Sequence, residues 1–154
     1  MKPAVFLDRD GTICREVGYV NHPSRLELLP GAAGAIARFR QLGYLCVLVT
    51  NQAGVARGYF PETLVQPTHD RLKRLLAAES TALDAIYYCP HHPTAGEPPY
   101  RMDCGCRKPR PGMLTRAARD LDIDLTRSIV IGDKITDVEM AHRVGALGVL
   151  VRTG

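Results

Sequence analysis

The chain has no run of about 18 apolar residues, the length a helix needs to span a bilayer. Its start, Met1-Lys2-Pro3-Ala4-Val5-Phe6-Leu7, reaches acidic residues at once. It lacks the longer apolar stretch and small-residue cleavage site of an export leader. No membrane association is expected, and a cytoplasmic protein is. Aromatic residues make up only 6%, and no basic stripe is interleaved with them, which speaks against a nucleic-acid surface. Cysteines number five, and an odd count in a reducing compartment argues against a disulfide framework. Internal repeats, low-complexity tracts and long linkers are absent. With no heptad seam or apolar stripe, a monomer is expected.

What is present is a chain of 154 residues, 45% hydrophobic and 23% charged, enough for one domain (residues 1–154) with a real core. The net charge is +4, much of it between Arg101 and Arg119. Such a stretch is either a solvated basic face or a site for an anion such as phosphate.

Short apolar, β-rich runs alternate with helical segments. Ala4–Leu7, Tyr44–Thr50, Ala85–Tyr88, Ser128–Ile131 and Leu147–Val151 read as strands. The continuous apolar run in the second suits a strand covered on both faces. Gly31–Leu42, Gly112–Leu121 and Thr136–Val144 read as helices, Gly43 ending the first. Pro61–Ser80 is helical in pattern, with Pro67 expected to break or kink it. Cys89–Pro111, rich in proline, glycine and cysteine, reads as a structured loop. This alternation predicts a three-layer α/β sandwich: a central parallel sheet with right-handed crossovers and helices on both faces. Ligands of such sheets bind beyond the carboxyl ends of the strands.

The residues at those ends carry chemistry. Asp8-Arg9-Asp10-Gly11-Thr12 follows the first strand. A carboxylate such as Asp8 can attack phosphorus, and Asp10 can protonate a leaving alkoxide and then activate water. The hydroxyl of Thr50 and the backbone N–H groups after it can hold phosphoryl oxygens. Lys108 can neutralise charge on a transferring phosphoryl group. Asp133, after the fourth strand, suits Mg²⁺, which takes oxygen ligands. Asp137 would support either Lys108 or the metal. Each motif alone has a plain structural reading as a capped turn or a surface charge, and their order and placement carry the argument.

Cys89-Pro90-His91-His92-Pro93 followed by Cys104-Gly105-Cys106 presents two close groups of zinc-type ligands. Cys89, His91, Cys104 and Cys106 are the favoured Zn²⁺ ligands. His92 competes with His91, and sequence chemistry does not separate them. A metal would fix a long polar loop that has no core of its own.

Together these motifs resemble the haloacid dehalogenase (HAD) superfamily of phosphatases over nearly the whole chain. The resemblance implies a HAD-like fold with a minimal cap and a zinc-bound loop at about 89–108. By the match, Asp8 is the nucleophile, Asp10 the general acid/base, and Thr50 and Lys108 stabilise the phosphoryl group. Asp8, the Asp10 carbonyl and Asp133 match Mg²⁺ ligands. The loop C-P-H-H-P…C-x-C-R-K-P resembles that of the D,D-heptose 1,7-bisphosphate phosphatases, with histidinol-phosphate phosphatases a related group. The stretches Glu16–Val20, Thr50–Gly58 and Gly132–Lys134 are similar to the heptose group. They imply substrate contacts at Glu16, Val17, Gly18, Tyr19, Asn51, Gln52, Ala53, Arg107 and Lys134. The implied substrate is a small sugar phosphate, D-glycero-D-manno-heptose 1,7-bisphosphate losing its 7-phosphate, on the route to lipopolysaccharide or related heptose nucleotides. Arg107 would pair with the retained phosphate, since a guanidinium binds phosphate bidentately. The rivals are a histidinol-phosphate phosphatase, a catalytically inactive zinc-stabilised binding module and a zinc-finger nucleic-acid binder. Two features depart from the resemblance besides Pro67. Ala53 stands where serine is common. The chain also stops at Gly154, where a further strand and helix would be expected, leaving one sheet edge thinly covered.

Overall fold

The computed structural model describes residues 1–154. Five strands, β1 (Ala4–Leu7), β2 (Leu45–Asn51), β3 (Ala85–Cys89), β4 (Ile129–Gly132) and β5 (Leu147–Leu150), form one sheet in the order β3-β2-β1-β4-β5. Every pairing is parallel. The helices are α1 (Ala32–Gln41), α2 (Val65–Ala78), α3 (Gly112–Leu121) and α4 (Ile135–Arg143).

Strand alternation divides the apolar runs between two cores. Ala4 and Phe6 of β1 and Val47 and Val49 of β2 face one side, against Met113, Leu114 and Ala117 of α3 and Met140 and Ala141 of α4. Val5, Leu7, Cys46 and Leu48 face the other, against Ala33 and Ile36 of α1 and Leu72 and Leu76 of α2. This is the predicted three-layer sandwich. Each fully buried Leu or Ile side chain stabilises it by about 1.5–3 kcal/mol.

Pro67 does not break α2. It is the third residue of the helix, entered through a 3₁₀ turn at Glu62–Leu64. The first-turn N–H groups of a helix have no intrahelical acceptor, so the missing proline N–H costs nothing there. The buried face of α2 carries Val65, Thr68, His69, Leu72 and Leu76 at helical spacing.

The chain steps outward from β1 through β2 to β3 and then crosses to the other side of β1 for β4. The switch point lies between β1 and β4, so their carboxyl ends open a crevice. β5 forms the opposite edge of the sheet, with Leu147 and Leu150 exposed. No helix is long and apolar enough to cross a membrane.

Candidate active site and metal centre

Asp8 is the first residue past β1, and its backbone N–H donates to the Ile131 carbonyl of β4 at 3.1 Å. The ladder thus sets the first acid at the switch point. Gly11 turns the chain back at φ +82°, and a Cβ there would collide with the Asp133 carboxylate. Only glycine allows the acids after β1 and β4 to approach so closely. A cavity of about 420 Å³ opens here, lined by Asp8, Asp10, Thr50, Lys108 and Asp133 and by Lys134 and Asp137 of the α4 entry.

Lys108 lies at the centre and is almost fully buried. Its Nζ is 3.0 Å from Asp8 Oδ1 and 2.7 Å from Asp137 Oδ1. Burial alone would lower its pKa, but the two carboxylates outweigh burial and raise it, so the ammonium stays charged. The backbone N–H of Lys108 donates to Asn51 Oδ1 at 3.2 Å, which anchors the residue to the end of β2. Asp137 Oδ2 accepts from the Lys134 N–H at 3.2 Å, so one carboxylate both caps α4 and orients the lysine. Asp137 thus contacts Lys108, one of its two expected places, and its carboxylate also lies beside those of Asp8 and Asp133.

Asp10 is held differently. Arg9 Nε donates to Asp10 Oδ1 at 3.0 Å and Nη2 to Oδ2 at 2.9 Å, a bidentate pair. Arg9 is only 1% exposed. Removing a guanidinium from water costs several kcal/mol unless its donors are met. Four of its five N–H groups are met, two by Asp10, one by Gln52 Oε1 at 3.1 Å and one by His69 Nε2 at 3.2 Å. Gln52 Nε2 donates in turn to Thr50 Oγ1 at 2.8 Å, leaving the threonine hydroxyl hydrogen free to donate elsewhere. Gln52, expected to contact substrate, lines the cavity but spends its amide on protein partners.

Five carboxylates and two lysines line this cavity. Oxygen atoms of Asp8, Asp133 and Asp137 lie within 4.8 Å of one another, and Asp133 Oδ1 is buried without a hydrogen-bond partner. Burial, helped by the neighbouring Asp8, pushes the Asp133 pKa up to about 6. Crowded, partly orphaned carboxylate oxygens are the donor set a hard divalent cation takes.

The other implied substrate residues divide into two groups. Glu16, Gly18, Tyr19, Asn51, Ala53 and Lys134 line the cavity. Val17 does not: its side chain packs on the α1/α2 core, and its carbonyl accepts from Arg25 at 2.8 Å. Arg25 also donates to the Tyr19 carbonyl at 2.7 Å, and Tyr59 packs against Tyr19 at a tilt, with ring centroids 4.5 Å apart. Arg107 is also absent from the lining. Its guanidinium reaches the His91 carbonyl at 3.4 Å and borders a separate hollow with Pro93, Met102 and Arg143. The basic stretch beyond it is largely spent: Arg110 pairs with Asp103 at 2.8 Å, and Arg116 lies over the Tyr87 ring.

The cysteine loop converges on one point. Cys89 Sγ lies 3.0 Å from Cys106 Sγ and 3.6 Å from Cys104 Sγ, with 3.4 Å between the last two. His91 Nδ1 is 3.3 Å from Cys106 Sγ and 3.6 Å from Cys89 Sγ. A zinc tetrahedron with Zn–S of about 2.3 Å has edges of about 3.8 Å, close to this spacing. Hydrogen bonding among the thiols raises the Cys89 pKa and lowers that of Cys106 to about 5. The geometry separates the two histidines: His91 enters the cluster, while His92 Nδ1 accepts from the N–H groups of Thr94 and Ala95.

Arg9 and His69 went unremarked in the sequence. For Arg9 the available signal is a charge between two acids directly after a buried strand. For His69 it is a place in the apolar stripe of α2.

A carboxylate pair, a buried lysine and an acidic crevice at the switch point of this α/β sheet are the arrangement of a HAD-type hydrolase. The HAD-hydrolase-like family model matches residues 105–154. The chain is 48% identical, over 99% of its length and 81% of the relative, to a D-glycero-β-D-manno-heptose-1,7-bisphosphate 7-phosphatase of Photorhabdus laumondii. Identity to the Escherichia coli K12 enzyme of that name is 44%, over 99% of this chain and 80% of the relative. The D,D-heptose 1,7-bisphosphate phosphatase of B. bronchiseptica, solved with magnesium and phosphate, superposes with a TM-score of 0.88 at 39% identity. It covers 100% of this chain and 82% of that one. The chain belongs to the heptose-bisphosphate phosphatase family of HAD-like hydrolases. Neither the histidinol-phosphate reading nor the inactive binding module is favoured.

Proposed function

We propose that the chain removes the 7-phosphate of D-glycero-D-manno-heptose 1,7-bisphosphate through an aspartyl-phosphate on Asp8, as a cytoplasmic enzyme. The observation that carries the reading is the Lys108 ammonium seated between Asp8 and Asp137 at the β1/β4 switch point. It neutralises the nucleophile's surroundings and offers its charge to a phosphoryl group bound beside Asp8.

Asp8 attacks phosphorus as the bond to the sugar oxygen breaks, and Asp10 gives that oxygen its proton. Asp10, now a carboxylate, takes a proton from water as the water oxygen bonds to phosphorus. The Asp8–phosphorus bond breaks and inorganic phosphate leaves. Thr50 Oγ1 donates to the phosphoryl oxygens through both steps. Asp8, the Asp10 carbonyl and Asp133 would hold Mg²⁺, which when bound supplies positive charge to the same oxygens. Cys89, His91, Cys104 and Cys106 would hold Zn²⁺, and the loop they tie down carries Lys108 into the site. Glu16, Gly18, Tyr19 and Lys134 would face the sugar. Arg107 would meet the retained 1-phosphate after turning away from the His91 carbonyl.

Phosphate release with Mg²⁺ from heptose 1,7-bisphosphate, beside histidinol phosphate at equal concentration, tests the reading. The bisphosphate should be strongly preferred, and Asp8→Asn should reduce turnover at least about 10³-fold. A preference for histidinol phosphate removes the substrate assignment, and an active Asp8→Asn removes the mechanism.

A further inference from the structure

His69, on the buried face of α2, is 3% exposed and places Nε2 3.2 Å from Nη1 of Arg9. A guanidinium has only donors, so Nε2 accepts and the ring proton sits on Nδ1. Burial, the Arg9 charge and the nearby Lys73 push the imidazole pKa down to about 3, against a smaller opposing effect of Asp70. The ring is therefore neutral, the form able to accept.

Arg9 is the only residue between the two acids after β1, and it grips both oxygens of Asp10. Of its three remaining N–H groups, one ends on Gln52 and one on His69. Without an acceptor at His69, the buried Nη1 has no partner at all, and the guanidinium turns to find one. The Asp10 carboxylate, tied to the same planar fork, turns with it.

We propose that His69 is a positioning residue for the reaction: its Nε2 locks the Arg9 guanidinium, and Arg9 holds Asp10 where its proton reaches the leaving sugar oxygen. This rests on the acid/base assignment of Asp10. A group that only supported the fold would affect all substrates alike. A group that positions the acid matters most where the leaving oxygen needs a proton.

The test compares kcat/KM, which reports aspartyl-phosphate formation, for heptose 1,7-bisphosphate and p-nitrophenyl phosphate. The sugar leaves as a poor alkoxide, whereas nitrophenolate leaves without a proton. His69→Leu lacks an acceptor, and the amide of His69→Asn stops short of Arg9. Both should lower the bisphosphate value at least about tenfold and the aryl phosphate value less than about threefold. His69→Gln, whose amide oxygen reaches the place of Nε2, should retain both values. If the leucine variant does not fold, the Asn and Gln pair decides. Equal losses on the two substrates, no loss on either, or a Gln variant as impaired as Asn overturns the proposal. Asp10→Asn, run in parallel, separates the two failures. If it shows the leaving-group-dependent loss and His69→Asn does not, only the positioning role falls. If it shows none, the acid role of Asp10 falls and the inference with it.

Discussion

The ammonium of Lys108 lies 2.7 Å from Oδ1 of Asp137, which ties the end of the cysteine loop to the first turn of α4. The same carboxylate caps that turn through the Lys134 N–H. The hold on the Lys108 ammonium and the start of the helix therefore share one side chain.

Asp137→Asn tests that sharing. The amide keeps the volume but loses the charge, leaving Asp8 as the one carboxylate partner of a buried lysine. Breaking a buried pair from one side costs about 3–5 kcal/mol. The unfolding midpoint should fall accordingly, and kcat/KM should drop at least about tenfold. Normal stability with normal turnover would show that Lys108 is oriented by Asp8 alone.

Metal analysis of purified protein should find one zinc per chain, lost in Cys104→Ser. A domain of this size loses about 2–4 °C of melting temperature per kcal/mol. Loss of a structural site worth several kcal/mol should therefore lower the melting temperature by roughly 10 °C or more. Turnover should fall too, because the loop delivers Lys108. An unchanged melting curve on chelation would mean that the loop holds its shape without metal.

Arg107→Ala should reduce the preference for the bisphosphate over a sugar monophosphate while leaving the monophosphate rate near normal. An unchanged preference would remove Arg107 as the selector and agree with its position outside the cavity lining.

The pKa of His69 gives a pH prediction with a definite sign. It is held down to about 3 in the folded chain, against an ordinary value of about 6.5 when unfolded. Between these values the unfolded chain binds a proton that the folded chain refuses. The stabilisation is thus fully present above about pH 6.5 and is lost as pH falls toward 3. The full difference corresponds to about 4–5 kcal/mol. Stability of the natural chain should decline more steeply through this window than that of His69→Gln, by urea unfolding at several pH values. Parallel declines would show that His69 is protonated in the fold.

The sequence by itself determined the layered architecture and the location of the chemistry. A run such as Leu45–Asn51, buried on both faces, is legible because its composition differs from any half-exposed strand. Once strands alternate with helices, parallel crossovers force every strand end to the same edge, so Asp8, Thr50 and Asp133 had to meet. What stayed illegible depends on side-chain direction and on partners distant in the chain. Adjacent histidines have the same chemistry, and only the folded loop aims His91 at the three thiols and His92 at its own backbone. Pro67 signals a break until its place in the first turn of α2 is known. Nothing in the sequence gives Arg9 a partner until α2 and the end of β2 bring His69 and Gln52 to it. Local pattern decides which face of an element is buried. Tertiary structure decides which polar groups must satisfy one another inside it, and here that choice fixes how the acids are aimed.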